Sequence, residues 1–139
     1  MKLSARNQFA GKVAKVEEGA VNGIVTIDVK GTPVTATISM NAIKELGLAE
    51  GKEAYAIIKA TNVMFATSKI EGISARNQIE GTIVKVVEGA VNGHVTIEDA
   101  DGVQVSGSIT NESIQDLGLK EGGKAVAIVK ATDVMVAVD

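Results

Sequence analysis

An internal repeat limits the folds open to this chain more than any other property of its sequence. Residues 4–27 align with residues 74–97 at a constant offset of 70, and 17 of those 24 positions are identical. The peptides Ser-Ala-Arg-Asn-Gln and Glu-Gly-Ala-Val-Asn-Gly both recur unchanged. One residue is inserted before Gly102, after which the offset is 71. Self-similarity at a fixed period indicates a duplicated structural unit, so we expect two domains, residues 1–69 and residues 70–139.

Each repeat is small for a domain. A chain of about 70 residues buries only about 60% of its unfolded surface, so association of the copies with each other or with other chains is the expected source of further stability. The 139-residue chain is 45% hydrophobic but only 2% aromatic. Its core must therefore come from valine, isoleucine, alanine and leucine.

Most of each repeat has the pattern of β-strands. In the first copy, β-branched residues alternate with small or polar ones over short segments bounded by turn residues. Their content of β-branched residues suits a pleated, half-buried surface. Five strands are predicted in this copy: Gly11 to Val16, Gly23 to Val29, Thr32 to Ser39, Ala54 to Lys59, and Val63 to Ala66.

One segment in each repeat has a helical pattern instead. Asn41 is the predicted N-cap of a short helix, with Ile43 and Leu46 on one face before Gly47 ends it. The second copy repeats this pattern from Asn111. Five strands and one helix per repeat predict an all-β fold of two tandem OB-like five-stranded barrels, each with one short helix.

Composition and charge exclude several classes of function. The formal net charge is −3 and the lysines and arginines are scattered singly, which disfavours duplex DNA as a partner. The scarcity of aromatic residues disfavours single-stranded nucleic acid. With no cysteine, the chain has neither disulfides nor thiolate sites. No segment reads as a signal peptide or membrane span, so we expect a cytoplasmic protein with no membrane partner.

One hydroxyl and two cationic side chains recur in both copies. The members of this set are Ser4, Arg6 and Lys59, and Ser74, Arg76 and Lys130. A guanidinium offers a planar fork to two oxygens of an anion, and an ammonium adds a compact charge. Each charge-assisted bond contributes about 1.5–3 kcal/mol, so three or four support micromolar binding of a tetrahedral oxyanion. Two alternatives stay open: Arg6 pairs with Glu18 at the surface, or the repeated pentapeptide serves packing.

Other signals for chemistry are weak. His94 is the only histidine, and Ile24 replaces it in the first copy. The carboxylates Glu98, Asp99 and Asp101 read as a solvated turn because no EF-hand loop surrounds them. We find no nucleophile with its base, no carboxylate pair shared by both halves and no metal cluster. The sequence therefore does not support an enzyme.

Four motifs together resemble the molbindin (Mop) domain. They are Ser-Ala-Arg-Asn-Gln at the start, Glu-Gly-Ala-Val-Asn-Gly, Leu-Gly-Leu, and the closing Ile-Lys-Ala-Thr-Asn-Val-Met. The likeness covers both repeats and matches the tandem two-Mop (di-Mop) arrangement. It implies an OB-like fold that binds molybdate, with tungstate as an analogue, for molybdenum storage or homeostasis in the cytoplasm. It also implies a homo-oligomer, a trimer, with anions held between domains and no direct bond from protein to metal.

The resemblance also assigns site residues. The family's oxyanion motif falls on Ser4, Ala5, Arg6, Lys59, Ser74, Ala75, Arg76 and Lys130. A further serine donor matches Ser113 in repeat two but Ala42 in repeat one, which leaves open whether the halves differ in affinity. Backbone amides of the two turns are candidates for a second type of anion site. These turns are Gly19, Ala20, Val21 and Asn22, and Gly89, Ala90, Val91 and Asn92. A plain hairpin with Asn-Gly at positive φ is the alternative.

Two functions are consistent with these residues and with the resemblance to the Mop domain. The first is binding of the oxyanion for storage or homeostasis. The second is a molybdate-responsive sensor that acts through a protein partner. Related Mop pairs are fused to a DNA-binding or ATPase domain, whereas here the two repeats account for the chain, so direct DNA recognition is disfavoured.

Overall fold

The computed structural model describes all 139 residues, which form ten β-strands joined by turns and short helices. The strands are β1 (Asn7–Glu17), β2 (Asn22–Val29), β3 (Thr32–Ser39), β4 (Glu53–Ile58), β5 (Met64–Ala66), β6 (Asn77–Glu88), β7 (Asn92–Glu98), β8 (Gln104–Thr110), β9 (Lys124–Val129) and β10 (Met135–Ala137). The helices are α1 (Met40–Glu45) and α2 (Asn111–Asp116), with 3-10 turns at Ala60–Asn62 and Ala131–Asp133. Neither helix is long and apolar enough to span a bilayer.

The strands form two five-stranded antiparallel sheets that exchange their last short strand. One sheet has the order β10-β4-β1-β2-β3 and the other β5-β9-β6-β7-β8. One compact unit therefore contains Met1–Ile58 with Ala131–Asp139, and the other contains Lys59–Lys130. The division at residues 69 and 70 describes the sequence repeats and stays a prediction; the compact units differ from those repeats by the exchanged strand.

Each sheet curls toward a barrel. In the first unit the two end strands, β3 and β10, contact each other, and in the second unit β8 contacts β5. The helix of each unit follows its third strand, before the strand that pairs with the first. This arrangement is the partly closed barrel of the OB type, so the predicted fold class is confirmed.

The interior of each unit is aliphatic, as the scarcity of aromatic residues predicted. Val25, Ile27 and Ile58 are fully buried in the first unit, and Val95 and Ile97 hold equivalent places in the second. Burial alternates along β2: every second residue, from Gly23 to Val29, is buried, and the residues between them are more exposed. Period-two alternation therefore directs one face of the strand into the core.

The helices begin earlier than predicted. The hydroxyl of Ser39, the last residue of β3, accepts a hydrogen bond from the Ala42 amide at 3.1 Å and caps α1. Thr110 caps α2 in the same way, and Asn111 is its first helical residue. The prediction of Asn41 and Asn111 as caps is wrong because the strand runs directly into the helix, so its last hydroxyl meets the free amides first.

The first strand also begins earlier than predicted, at Asn7 rather than Gly11. Asn7 is 2% exposed and its amide donates to the carbonyl of Ile58 at 3.1 Å, which continues the pairing of β1 with β4. The pattern of hydrophobic residues did not show this start, because the first residues of the strand, Asn7 and Gln8, are polar.

The Asn-Gly pair after the Gly-Ala-Val turn does not adopt positive φ. Lys30 is the one non-glycine residue with positive φ, and neither Gly23 nor Gly93 has it. Gly23 is required for space instead, since a Cβ there would lie 2.5 Å from Cδ1 of Ile43 and 2.9 Å from the carbonyl oxygen of Glu17. The positive-φ interpretation is therefore wrong, and close packing against the helix explains the glycine.

Candidate functional site

Successive side chains of the Ser-Ala-Arg segment face solvent and core in turn. In the second repeat Ser74 and Arg76 are exposed, while Ala75 and Asn77 are 6% and 5% exposed. Ala75 packs in a cluster with Val126 and Ile128 and so fixes the segment to the sheet. The serine and the arginine therefore lie on the same, solvent-facing side, as their spacing of two predicted.

A buried asparagine places the cationic side chains at one strand end. The amide of Asn77 donates to the carbonyl of Val129 at 3.3 Å, and these two residues form the last pair between β6 and β9. Arg76 and Lys130 are the next residues beyond this pair on the two strands. Neighbouring antiparallel strands keep opposite residues about 5 Å apart, so the fold brings the guanidinium and the ammonium to the same end of the sheet. In the first repeat, the Asn7 amide makes the equivalent bond.

The glutamine of the pentapeptide supports the two copies differently. Gln8 donates to the carbonyl oxygens of Ala5 at 2.8 Å and Leu3 at 3.1 Å, so it holds the Ser-Ala-Arg segment directly. Gln78 instead bonds twice to Ile70, donating to its carbonyl at 2.6 Å and accepting from its amide at 2.8 Å. The repeat-two glutamine therefore holds the residues that precede the segment.

The predicted cationic residues keep their donors available. Arg6, Arg76, Lys59 and Lys130 are all exposed. The ion pairs of the structure lie elsewhere, at Lys15–Glu17 (3.7 Å) and Lys69–Glu80 (3.8 Å). The alternative of an Arg6–Glu18 ion pair is not formed, so an anion would meet both guanidinium groups without competition from a protein carboxylate.

Ser113 lies on a different element from the Arg76–Lys130 pair. It is on α2, which packs against β7 and β8. The hydroxyl of Thr110 donates to Oγ of Ser113 at 2.9 Å, so the serine's own proton is free for another acceptor. Ala42 holds the equivalent place on α1 and has no hydroxyl, so the first unit lacks this donor.

The two Gly-Ala-Val-Asn loops are exposed hairpins. Val21 and Val91, at their tips, are 74% and 71% exposed. The β1–β2 and β6–β7 pairs end just before the loops, with Glu17 opposite Ile24 and Glu88 opposite Gly93. The loops therefore lie at the surface and take no part in the core of their own unit.

Sequence reasoning missed the supporting residues of these sites. The sequence identifies Asn7, Gln8, Asn77 and Gln78 only as parts of a repeated motif. Asn7, Gln8 and Asn77 make hydrogen bonds that fix the strand end or segment beside an arginine, whereas Gln78 bonds to Ile70, which precedes that segment. Their identity in both copies was the available signal. Asn111, which bonds to the repeat-two hairpin, had no such signal because Met40 replaces it in repeat one.

The fold and the site together define a class of protein. The chain is a tandem OB-like β protein with repeated, exposed cationic and hydroxyl donors at its strand ends, and it has no cluster of three or more metal-ligating side chains. A TOBE domain model matches residues 3–65 and again residues 73–136. The chain therefore belongs to the TOBE domain family, and its resemblance to tandem Mop proteins is confirmed.

Similar proteins are named for molybdenum. The molybdenum transport protein ModE of Herbaspirillum seropedicae is 41% identical over 140 residues, which cover 99% of this chain and 52% of that protein. A probable molybdenum-pterin-binding protein of Haemophilus influenzae is 62% identical over 65 residues, 46% of this chain and 94% of its own length. The chain thus spans about half the length of the ModE relatives and resembles two copies of the shorter protein.

A solved structure matches the whole fold. The cytoplasmic molybdate-binding protein ModG, crystallised with molybdate bound, is 39% identical, and the two chains cover each other completely with a TM-score of 0.95. The two chains therefore share the same fold over their whole length.

Proposed function

We propose that this chain binds the molybdate oxyanion and acts in intracellular storage or homeostasis of molybdenum. The observation that carries the proposal is the repeated cationic pair at the end of each sheet, exposed and without an ion pair, beside a strand end anchored by a buried asparagine. The ModG structure with molybdate bound supports the choice of anion. Tungstate has the same charge and shape, so we expect it to occupy the same sites.

The proposed first type of site uses complementary donors. Arg6 and Arg76 each present a planar fork that suits two oxygens of a tetrahedral anion. The lysines add positive charge, and the serine hydroxyls donate hydrogen bonds. The alanine between the serine and the arginine has a small side chain, which lets an anion approach the backbone. The proposed residues are Ser4, Ala5, Arg6 and Lys59, and Ser74, Ala75, Arg76 and Lys130.

The shell is completed by association of chains. Ser113 has a free hydroxyl proton and lies on α2, a different element from the β6–β9 strand end that carries Arg76. We propose a homo-oligomer, a trimer, in which anions bind between domains, and such burial adds the stability that units of this size lack.

The hairpin loops are the proposed second type of site. Backbone N–H groups of an exposed turn carry partial positive charge and bind anions without a charged side chain. The exposed loops Gly19–Asn22 and Gly89–Asn92 supply such groups when several chains bring their tips together. Because such donors break no covalent bond and transfer no proton, we propose a binding protein rather than an enzyme. We also propose that it acts in the cytoplasm, as the similar ModG protein does.

Thermal unfolding with added anions tests the proposal. At a molybdate concentration 100 times Kd, binding to the folded chain adds about 2.7 kcal/mol to the free energy of unfolding. We expect a clear rise in Tm with molybdate and little change with chloride at equal ionic strength. The double variant Arg6→Ala, Arg76→Ala should lose most of this rise.

A matched control uses two other lysines at equivalent exposed positions. Lys15→Ala with Lys85→Ala removes the same formal charge from β1 and β6. This control should keep the molybdate-dependent rise in Tm. If the arginine variant keeps the whole rise, or if the lysine control loses as much, the assigned residues are wrong.

A further inference from the structure

The structure holds the two hairpin loops in different ways. Both loops share one bond to the following helix: the carbonyl of Val21 accepts from the Met40 amide, and that of Val91 from the Asn111 amide, each at 2.8 Å. The second loop has two additional bonds. The side-chain amide of Asn111 donates to the carbonyl of Gly89 at 2.7 Å, and the Gly89 amide donates to the carbonyl of Asn92 at 2.9 Å.

Asn111 and Met40 occupy the same place in their units. A Cβ added at Gly93 would lie 3.0 Å from Oδ1 of Asn111, and one added at Gly23 would lie 3.0 Å from Sδ of Met40. Oδ1 of Asn111 is buried and has no hydrogen-bond partner. A buried acceptor without a partner destabilises the fold, whereas a methionine fills this place in repeat one without that penalty. The contribution that distinguishes the asparagine is therefore its bond to Gly89.

That bond fixes the direction of a backbone donor. In a trans peptide the C=O and the following N–H point in opposite directions, and the chain has no cis peptide bond. Because the Gly89 carbonyl is held on the side of α2, the Ala90 N–H points away from the helix. The Gly19–Ala20 peptide has no side-chain donor of this kind to fix its direction, because Met40 stands in the place of Asn111.

We propose that Asn111 is a positioning residue that pre-forms the repeat-two hairpin for an oxyanion, so that the two hairpin sites are not equivalent. The inference rests on the proposed function, in which hairpin amides bind anions. The repeat-two loop binds the anion with its donor already oriented. The repeat-one loop must order its peptide on binding, which lowers its affinity.

Exchange of the two residues between repeats tests the proposal. In Asn111→Met, we expect hydrogen exchange at Gly89, whose amide is bonded to the Asn92 carbonyl, to rise toward the rate at Gly19, with the first loop unchanged. Loss of one neutral hydrogen bond predicts about three- to tenfold weaker molybdate binding at one class of sites in calorimetry. The Tm without anion should stay the same or rise, because the unpartnered acceptor is gone. The reverse variant, Met40→Asn, should slow exchange in the first loop.

The outcomes separate this inference from the proposed function. Unchanged exchange at the second loop in Asn111→Met, or a lower Tm with unchanged molybdate binding, overturns the positioning role while binding through the arginines stands. An absence of molybdate binding in the unmodified chain overturns the proposed function and this inference with it. Faster loop exchange together with selective weakening of one class of sites supports the inference, and slower exchange in Met40→Asn supports it independently of how Asn111→Met folds.

Discussion

The two units of this protein share their donors and differ in what surrounds them. Arginine, lysine and serine recur at the same strand ends. Gln8, however, holds its own Ser-Ala-Arg segment, whereas Gln78 holds Ile70, which precedes that segment in the second repeat. The hairpin of one repeat is bonded to an asparagine side chain and that of the other is not. Divergence after duplication has therefore altered the supports of the donors more than the donors themselves.

The exchanged strands show the same divergence in the core. In the second unit, a Cβ added to Gly107 would lie 2.4 Å from the ring of Phe65, so the glycine makes room for the phenylalanine of β5. At the corresponding positions the first unit has Val136 on β10 and the fully buried Ala36 on β3. A larger residue on the exchanged strand is thus matched by a smaller one on its neighbour. Phe65 suits the barrel of the other repeat, where a glycine faces it, better than that of its own repeat.

The largest expected effect concerns the arginines. Arg6→Ala and Arg76→Ala should each weaken molybdate binding about 10- to 100-fold at the sites that use that arginine, because each removes a charge-assisted contact of about 1.5–3 kcal/mol. Calorimetry should then show half of the first type of sites lost and the other half kept. Complete loss in either single variant would show that every site uses both arginines, and the two repeats would then not be separate binding units.

The next effect concerns the size match in the core. Gly107→Ala should destabilise the protein by about 1–3 kcal/mol, because the new methyl group overlaps the Phe65 ring. Adding Phe65→Val should recover much of that loss, since the pair then resembles Ala36 and Val136. Urea unfolding measures both changes. If Gly107→Ala alone leaves the free energy of unfolding unchanged, the glycine is not matched to the phenylalanine.

A smaller effect is expected from the helix serine. Ser113→Ala should weaken molybdate binding about two- to tenfold, as expected for one hydrogen bond of about 0.5–1.5 kcal/mol. Ala42→Ser should strengthen binding by a similar factor if the new hydroxyl meets the same surroundings. Titrations of both variants against the unmodified chain make the comparison. Equal affinities in all three would show that this helix position contributes no donor.

The smallest effect concerns the pH dependence of the first unit. Tyr55 donates to the carboxylate of Asp139 at 3.0 Å, and this hydrogen bond and the nearby negative charge raise the pKa of the phenol above its ordinary value. The protonated phenol is thus favoured in the folded state, so its contribution to stability is present below the unfolded pKa and is lost as the pH rises through the folded one. Val126 replaces it in the second unit.

Absorbance reports this group alone, because Tyr55 is the only tyrosine and there is no tryptophan. An alkaline titration followed by phenolate absorbance should show the raised pKa, and Asp139→Asn should lower it toward the ordinary value. The same titration in denaturant supplies the reference. An identical midpoint in the folded variant and the unmodified chain would mean that the bond after β10 is not formed in solution.

Much of the fold follows from local patterns. Period-two alternation and the repeat itself predicted the barrels, and composition predicted their aliphatic core, because these signals are carried by the order and kinds of residues along the chain. The helix caps and the start of β1 were missed where polar residues carry the structure, as Ser39 and Asn7 do through single hydrogen bonds. Of the site, the spacing of Ser74 and Arg76 predicted their shared face, but the glutamine contacts could not be predicted, because their partners are backbone groups outside the regular strands and helices.

The sequence alone determined that the chain is duplicated, aliphatic inside, and equipped twice with the same cationic and hydroxyl donors. The folded chain was needed to show which strand closes each barrel, which segment Gln8 holds and which hairpin is bonded to Asn111. The reason is physical. Alternation and repetition can be read from the order of residues along the chain, whereas strand exchange and the direction of a side-chain bond depend on surfaces that meet only after the chain has folded.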